Sequence, residues 1–191
     1  RRTIPEATQA IDEFRTYYLD IDPNAKWDGE QKRWKWPSGA TLELGYGESV
    51  AEVSRYLGRE YTAVLFDELG LVKDAIVWEL LSSRVRSPDP SVPLRMRASA
   101  NPGGAGHAWI KARFVTPTNR GTITYRNPKS KRTCAYVPGS AKDNPSLPAT
   151  YWEGLSALPP AYVAALRDGD WDAGVGLFYP ELAGDLGTAR L

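Results

Sequence analysis

Residues 61–68, YTAVLFDE, form an apolar run closed by two adjacent acids, and a second run, LRMRASA (94–100), comes about thirty residues later. The first run lacks the polar alternation of a half-exposed strand, so it reads as a strand buried on both faces. Between the two, DAIVWELLSSRVRS places Ile76, Val77, Leu80, Leu81 and Val85 along one side of a helix, and SPDPSVP breaks it. Strand, helix, strand over this length is a βαβ crossover, and a crossover pairs its strands in parallel. An α/β fold built on a parallel central sheet is therefore expected.

The flanks add elements to that sheet. Residues 5–19 carry Ile11, Phe14, Tyr18 and Leu19 at helical spacing. KRWKWPSGATLELGY (32–46) reads as a β-hairpin turning at Pro37-Ser38-Gly39, and SVAEVSRYLG (49–58) as a short polar helix. NPGGAG (101–106) is a sharp exit turn, and HAWIKARFV after it is a short helix or extended segment. GTITYR and TCAYVP are strands around the basic turn NPKSK, and residues 148–171 read as two helices meeting at Pro159-Pro160. The glycine-rich tail from Asp172 reads as a linker. Trp34, Trp36, Trp78, Trp109 and Trp171 lie in amphipathic stretches and are assigned to packing. The single histidine and single cysteine, Cys134, argue against a His/Cys zinc site or a disulfide framework. No apolar stretch approaches the roughly 20 residues of a membrane helix, so no membrane partner is expected.

Asp67 and Glu68 thus sit at the carboxyl end of a central strand, the edge at which open α/β sheets bind ligands. Four apolar residues and then Asp-Glu make the Walker B pattern of nucleoside triphosphatases. In it the first acid holds magnesium, commonly through water, and the second accepts a proton from the water that attacks the γ-phosphate of ATP. The second strand also ends in polar groups. If it neighbours the first, Ser99 and Asn101 reach the same edge and could sense the γ-phosphate.

YLGREYTAVLFDE, SSRVR, RASANPGGAGHAWIKARF, DNPSLPATYWEGLSALP and LRDGDWDAGVGLFYPE resemble, in order and spacing, the large terminase subunit of tailed bacteriophages. That family drives viral double-stranded DNA into a preformed capsid with an N-terminal P-loop ATPase domain and a C-terminal nuclease. The resemblance implies a RecA-like (ASCE) P-loop NTPase fold with an added β-hairpin and C-terminal helices. It makes Asp67 the magnesium-side acid, Glu68 the catalytic base, and Ser99, Ala100 and Asn101 the coupling motif between phosphate release and movement on DNA. Arg55 and Arg59 fall where the family can supply an arginine finger to a neighbouring subunit. Lys111, Arg113, Lys129, Lys131 and Arg132 are candidates for DNA contact by charge.

Two features depart from the pattern. A phosphate loop requires GxxxxGK[ST], and this sequence has no Gly-Lys pair. Asp170, Asp172 and Asp185 are too scattered to form the clustered acids of a two-metal nuclease. The expectation is a fragment: residues 1–171 as a partial ATPase domain without its Walker A segment, and 172–191 as a linker or the start of a nuclease domain. The parent protein would be an ATPase, with this chain alone inactive. Implied partners are viral DNA, the portal protein, the small terminase subunit and further copies in a ring. The implied location is the cytoplasm of the infected host and transiently the procapsid portal. The alternatives are a helicase-type P-loop ATPase fragment and a non-catalytic DNA- or portal-binding module. NPGGAGH and DNPSLP favour terminase over the former, and Glu68→Gln separates catalysis from binding.

Overall fold

The computed structural model describes residues 4–173. The chain divides into two compact units, one formed by Arg1–Glu68 with Ile76–Ala98 and the other by Leu69–Ala75 with Ser99–Leu191.

The first unit opens with helix α1 (Ile4–Ile21) and a three-stranded antiparallel sheet, β1 (Lys26–Asp28), β2 (Arg33–Lys35) and β3 (Thr41–Glu43). The expected hairpin is β2–β3, closed through Gly39 at φ 85°, a left-handed turn position that a side chain would strain. Strand β1 is an addition that the sequence pattern does not foresee. Its cross-strand register stacks Trp27 on Trp34 and Trp34 on Leu42, which puts the apolar side chains on one face. Tyr18 of α1 meets Trp34 and Trp36 edge-on at 5.4 and 5.5 Å, and Trp34 is buried. On the opposite face Lys35 pairs with Asp28 at 2.7 Å.

Helix α2 (Val50–Val53) begins at a capping box in which Ser49 accepts from the Glu52 amide and Glu52 accepts from the Ser49 amide. Tyr56, just beyond it, accepts from the Tyr46 amide and donates to the Tyr46 carbonyl, both at 3.0 Å, which pins the exit of the hairpin. Then comes the expected crossover: β4 (Ala63–Phe66), α3 (Ile76–Ser82) and β5 (Arg95–Ala98), with β4 and β5 parallel in the register Ala63↔Arg95 to Phe66↔Ala98. The expectation that β4 is buried on both faces does not hold. Among the described residues this sheet has two strands, and Leu65 is 68% exposed while Val64 and Phe66 are half-buried. One strand neighbour and one covered face leave the other side chains to solvent. The buried face of the α3 segment is also rotated from the expected one: Val77, Trp78, Leu81 and Val85 are buried, whereas Ile76, the first helical residue, is exposed.

In the second unit α4 (His107–Ile110) widens over Lys111–Val115, where the Thr116 amide reaches back five residues to the Lys111 carbonyl. Strands β6 (Tyr125–Arg126) and β7 (Thr133–Cys134) form a short antiparallel hairpin about the basic turn. Helices α5 (Ala149–Ser156) and α6 (Pro160–Asp168) meet at Pro159-Pro160 as read from the sequence. Helix α6 ends at Gly169, whose left-handed φ of 65° and close approach to the Gly139 carbonyl leave no room for a Cβ. Trp171 is buried behind it and donates to the Tyr136 hydroxyl at 2.9 Å. Among the described residues no helix is long and apolar enough to cross a membrane.

Candidate functional site

In the first unit β4 delivers Asp67 and Glu68 directly from its carboxyl end, as the sequence pattern requires. Phe66 pairs with Ala98, so β5 ends level with β4, and the chain passes from Ala98 straight into Ser99, Ala100 and Asn101. Asp67 is half-buried and Glu68 exposed. Glu68 has φ 56°, in the left-handed region that costs an L-residue roughly 1–2 kcal/mol. Held there, it turns the chain sharply off the strand. Backbone strain of this kind clusters at functional sites.

The second unit holds the segments immediately downstream of both strands. Residues 69–72, directly after Glu68, form a strap bound to the turn 99–106. The Leu69 amide donates to the Ser99 carbonyl at 2.8 Å, the Gly106 amide to the Gly70 carbonyl at 2.8 Å, and Trp109 Nε1 to the Val72 carbonyl at 2.8 Å. Glycines allow the contact. A Cβ on Gly104 would collide with the Gly70 oxygen, and one on Gly70 would stand 2.9 Å from the Asn101 oxygen. The expected exit turn is thus also the seat of the strap that continues the Asp-Glu strand.

His107 locks this turn. Its Nδ1 accepts from the Gly103 amide at 2.9 Å, which requires that nitrogen to be unprotonated, and its ring lies 5.2 Å from the Trp171 ring. Burial, then the Lys111 cation, push its pKa below the usual histidine value, with a hydrogen bond to the Trp171 backbone opposing them. Sequence reasoning finds neither His107 nor the strap. NPGGAGH marks a turn, but nothing local shows that residues 69–72 lie against it.

The other sequence candidates are distributed. In the first unit the Arg55 guanidinium lies 4.2 Å from the Tyr46 ring centroid and its Nε donates to the Glu52 carbonyl at 2.8 Å. Arg59 is ion-paired with Glu43. In the second unit Lys111 is paired with Asp172, and Arg120 with Asp172 and, at 3.9 Å, Asp170. Two of the three scattered acids are therefore tied to cations of their own unit, and Asp185 lies outside the described residues. Arg113 packs its guanidinium 5.5 Å from the Phe114 centroid. Lys129, Lys131 and Arg132 stand exposed on the β6–β7 turn. Among the described residues no three His, Cys, Asp or Glu side chains gather as a metal cage. Magnesium is commonly held by one or two carboxylates together with water and substrate phosphates, so a single carboxylate such as Asp67 at the end of β4 is chemically compatible with it.

Comparison with solved structures gives a match to the large terminase from the thermophilic bacteriophage D6E, with TM-score 0.62 and 15% identity over 89% of this chain. The fold is terminase-like. The chain spans 39% of the length of that protein. No family model matches the sequence, and no curated protein matches it.

Proposed function

We propose that this chain carries the Walker B and coupling portion of a P-loop ATPase that packages viral double-stranded DNA. The observation that carries the proposal is a parallel β4–β5 pair ending in Asp67-Glu68 within a terminase-like fold. In this reading Asp67 would hold magnesium, which would offset phosphate charge, and Glu68 takes the proton of the attacking water. Ser99, Ala100 and Asn101 form the coupling segment. Its support is the Leu69–Ser99 hydrogen bond, which ties that segment to the residue after Glu68. Arg59 can serve as a finger to another copy only by leaving Glu43. Viral DNA, a portal, a small terminase subunit and further copies in a ring are the partners of this proposal.

Catalysis requires a phosphate cradle, and the sequence contains no GxxxxGK[ST]. The test is MgATP binding and turnover by the 191-residue chain, alone and joined to a Walker A-bearing terminase segment. The expected result is no turnover alone, turnover in the joined protein, and a drop of at least 100-fold on Glu68→Gln, in the range of a missing general base. Full turnover in the Gln variant would remove Glu68 from the chemistry and the proposal with it.

A further inference from the structure

The chain leaving α6 is fastened to the second unit at several points. Gly169, at φ 65°, turns it off the helix against the Gly139 carbonyl, and the Trp171 side chain that follows is 3% exposed. The Trp171 indole Nε1 donates to the Tyr136 hydroxyl at 2.9 Å. On one side of it Asp170 faces Arg120 at 3.9 Å, and on the other Asp172 is ion-paired with Lys111 and Arg120. Solvent-exposed ion pairs contribute little one by one, so the hold on this segment comes chiefly from the buried indole.

What sets this anchor apart from ordinary packing is its partner. The His107 ring stands 5.2 Å from the Trp171 ring. Its Nδ1 accepts from the Gly103 amide at 2.9 Å, which leaves Nε2–H to donate to the Trp171 backbone. One neutral imidazole thus bonds two segments far apart in the chain. The segment at Gly103 is the turn that seats the strap: the Ser99 carbonyl accepts from the Leu69 amide at 2.8 Å, and the Gly106 amide donates to the Gly70 carbonyl at 2.8 Å. A connection therefore runs from Trp171 through His107 to the turn, and from the turn to the residue that follows Glu68. All of it, from Trp171 to Leu69, belongs to the second unit. The imidazole also has two definable states, because a proton on Nδ1 replaces the acceptor with a donor and the Gly103 bond is lost.

We infer that Trp171 and His107 are positioning residues for the segment Ser99–Asn101: the indole anchor holds the imidazole against Gly103, and the imidazole holds the turn on which the strap is seated. Giving that segment a coupling role rests on the packaging-ATPase reading, whereas the linkage itself is a property of the second unit. The charged groups about His107 are Lys111 on its own helix, which disfavours a second cation there, and Asp170, Asp172 and Arg120 beside Trp171. Both acids are engaged by cations, Asp172 by Lys111 and Arg120 and Asp170 by Arg120.

The experiment is proton–nitrogen correlation NMR of the full chain between about pH 7.5 and 5. The His107 ring is expected as its Nε2–H tautomer at the upper end. As the pH falls, the Gly103, Gly106 and Leu69 amide signals should move with one midpoint, that of the ring, which lies below the ordinary histidine value. In His107→Gln they should stay still over that range. Hydrogen exchange reads the anchor. In Trp171→Ala the Leu69 and Gly106 amides should exchange about tenfold faster or more, while the Ile123 amide, bonded to the Thr118 carbonyl in the same unit, keeps its protection. Tyr136→Phe removes only the acceptor of the indole and is the milder variant, in which Leu69 should still exchange faster, about threefold, with Ile123 unaffected. An Nδ1–H tautomer would overturn the inference. So would a Leu69 amide indifferent to the His107 titration, or Leu69 exchange in Tyr136→Phe that either equals the parent's or rises no more than that of Ile123. No nucleotide is present, so none of these outcomes bears on Glu68 as a base. Conversely, failure of the ATP experiment would take the coupling role from Ser99–Asn101 and leave the linkage to be judged by this one.

Discussion

Glu68 and His107 each hold a costly local state that neighbouring structure maintains. At Glu68 the cost lies in the backbone, where φ is 56°. Glu68→Gly should relieve the left-handed penalty, raising stability by up to about 1 kcal/mol after the extra entropy of glycine in the unfolded chain is subtracted. Glu68→Gln keeps the left-handed backbone strain and should not show that gain. Urea midpoints for the two variants measure this, and a glycine variant no more stable than the parent would mean that the turn is unstrained. At His107 the cost is electrostatic. Burial and Lys111 depress its folded-state pKa, so the neutral ring belongs to the folded chain and the unfolded chain takes up the proton first. The stability contributed by the neutral ring is full above the unfolded value of about 6.5, declines as the pH falls below it, and is gone once the folded value is passed. His107 is the only histidine in the sequence, so thermal unfolding between about pH 7.5 and 5 reports on it with little interference. His107→Gln should flatten that profile, since its side-chain oxygen can still accept from the Gly103 amide. A profile with the same slope in the variant would assign the dependence to other groups.

Among the elements, those specified by neighbours a few residues away are the ones that the sequence announces. Ser49 and Glu52 cap α2, Gly39 turns the β2–β3 hairpin, and Pro159-Pro160 separates α5 from α6. Ser49→Ala should cost about 1 kcal/mol by removing one arm of the capping box, read as a shift in the urea midpoint. The strap over residues 69–72 is specified differently, by glycines more than thirty positions away. Gly104→Ala drives a Cβ into the Gly70 oxygen, and because the opposing atom is backbone it cannot turn aside. We expect a destabilisation of about 1–3 kcal/mol and faster hydrogen exchange at the Leu69 amide, which donates to Ser99. Protection at Leu69 equal to the parent's would show that the strap tolerates the methyl group. Strand β1 is the converse case. Its three residues form no periodic pattern of their own, and only the register Trp27↔Trp34 gives them a partner.

For the whole molecule, the α/β class, the parallel sense of the β4–β5 pair and the placing of Asp67-Glu68 at a strand's carboxyl end were all set by the order of short apolar runs. Each run carries enough local information to declare its own element, and the crossover length then dictates the parallel pairing. Burial was not legible in the same way. An apolar run reads as buried on both faces, but Leu65 lies open because, among the described residues, β5 alone pairs along β4 and one face of the strand is uncovered. The charge clusters were equally ambiguous. Lys111 and Lys129 have the same chemistry in the sequence, and only the fold brings Asp172 to the first and leaves the second exposed on its turn. Contacts among residues close along the chain thus specify most of the elements, β1 excepted, and the position of the paired acids at the end of β4. Tertiary structure decided which side chains are covered, which acids answer Lys111, Arg120 and Lys142, and that His107 locks the turn after β5, because those depend on residues brought together from distant positions.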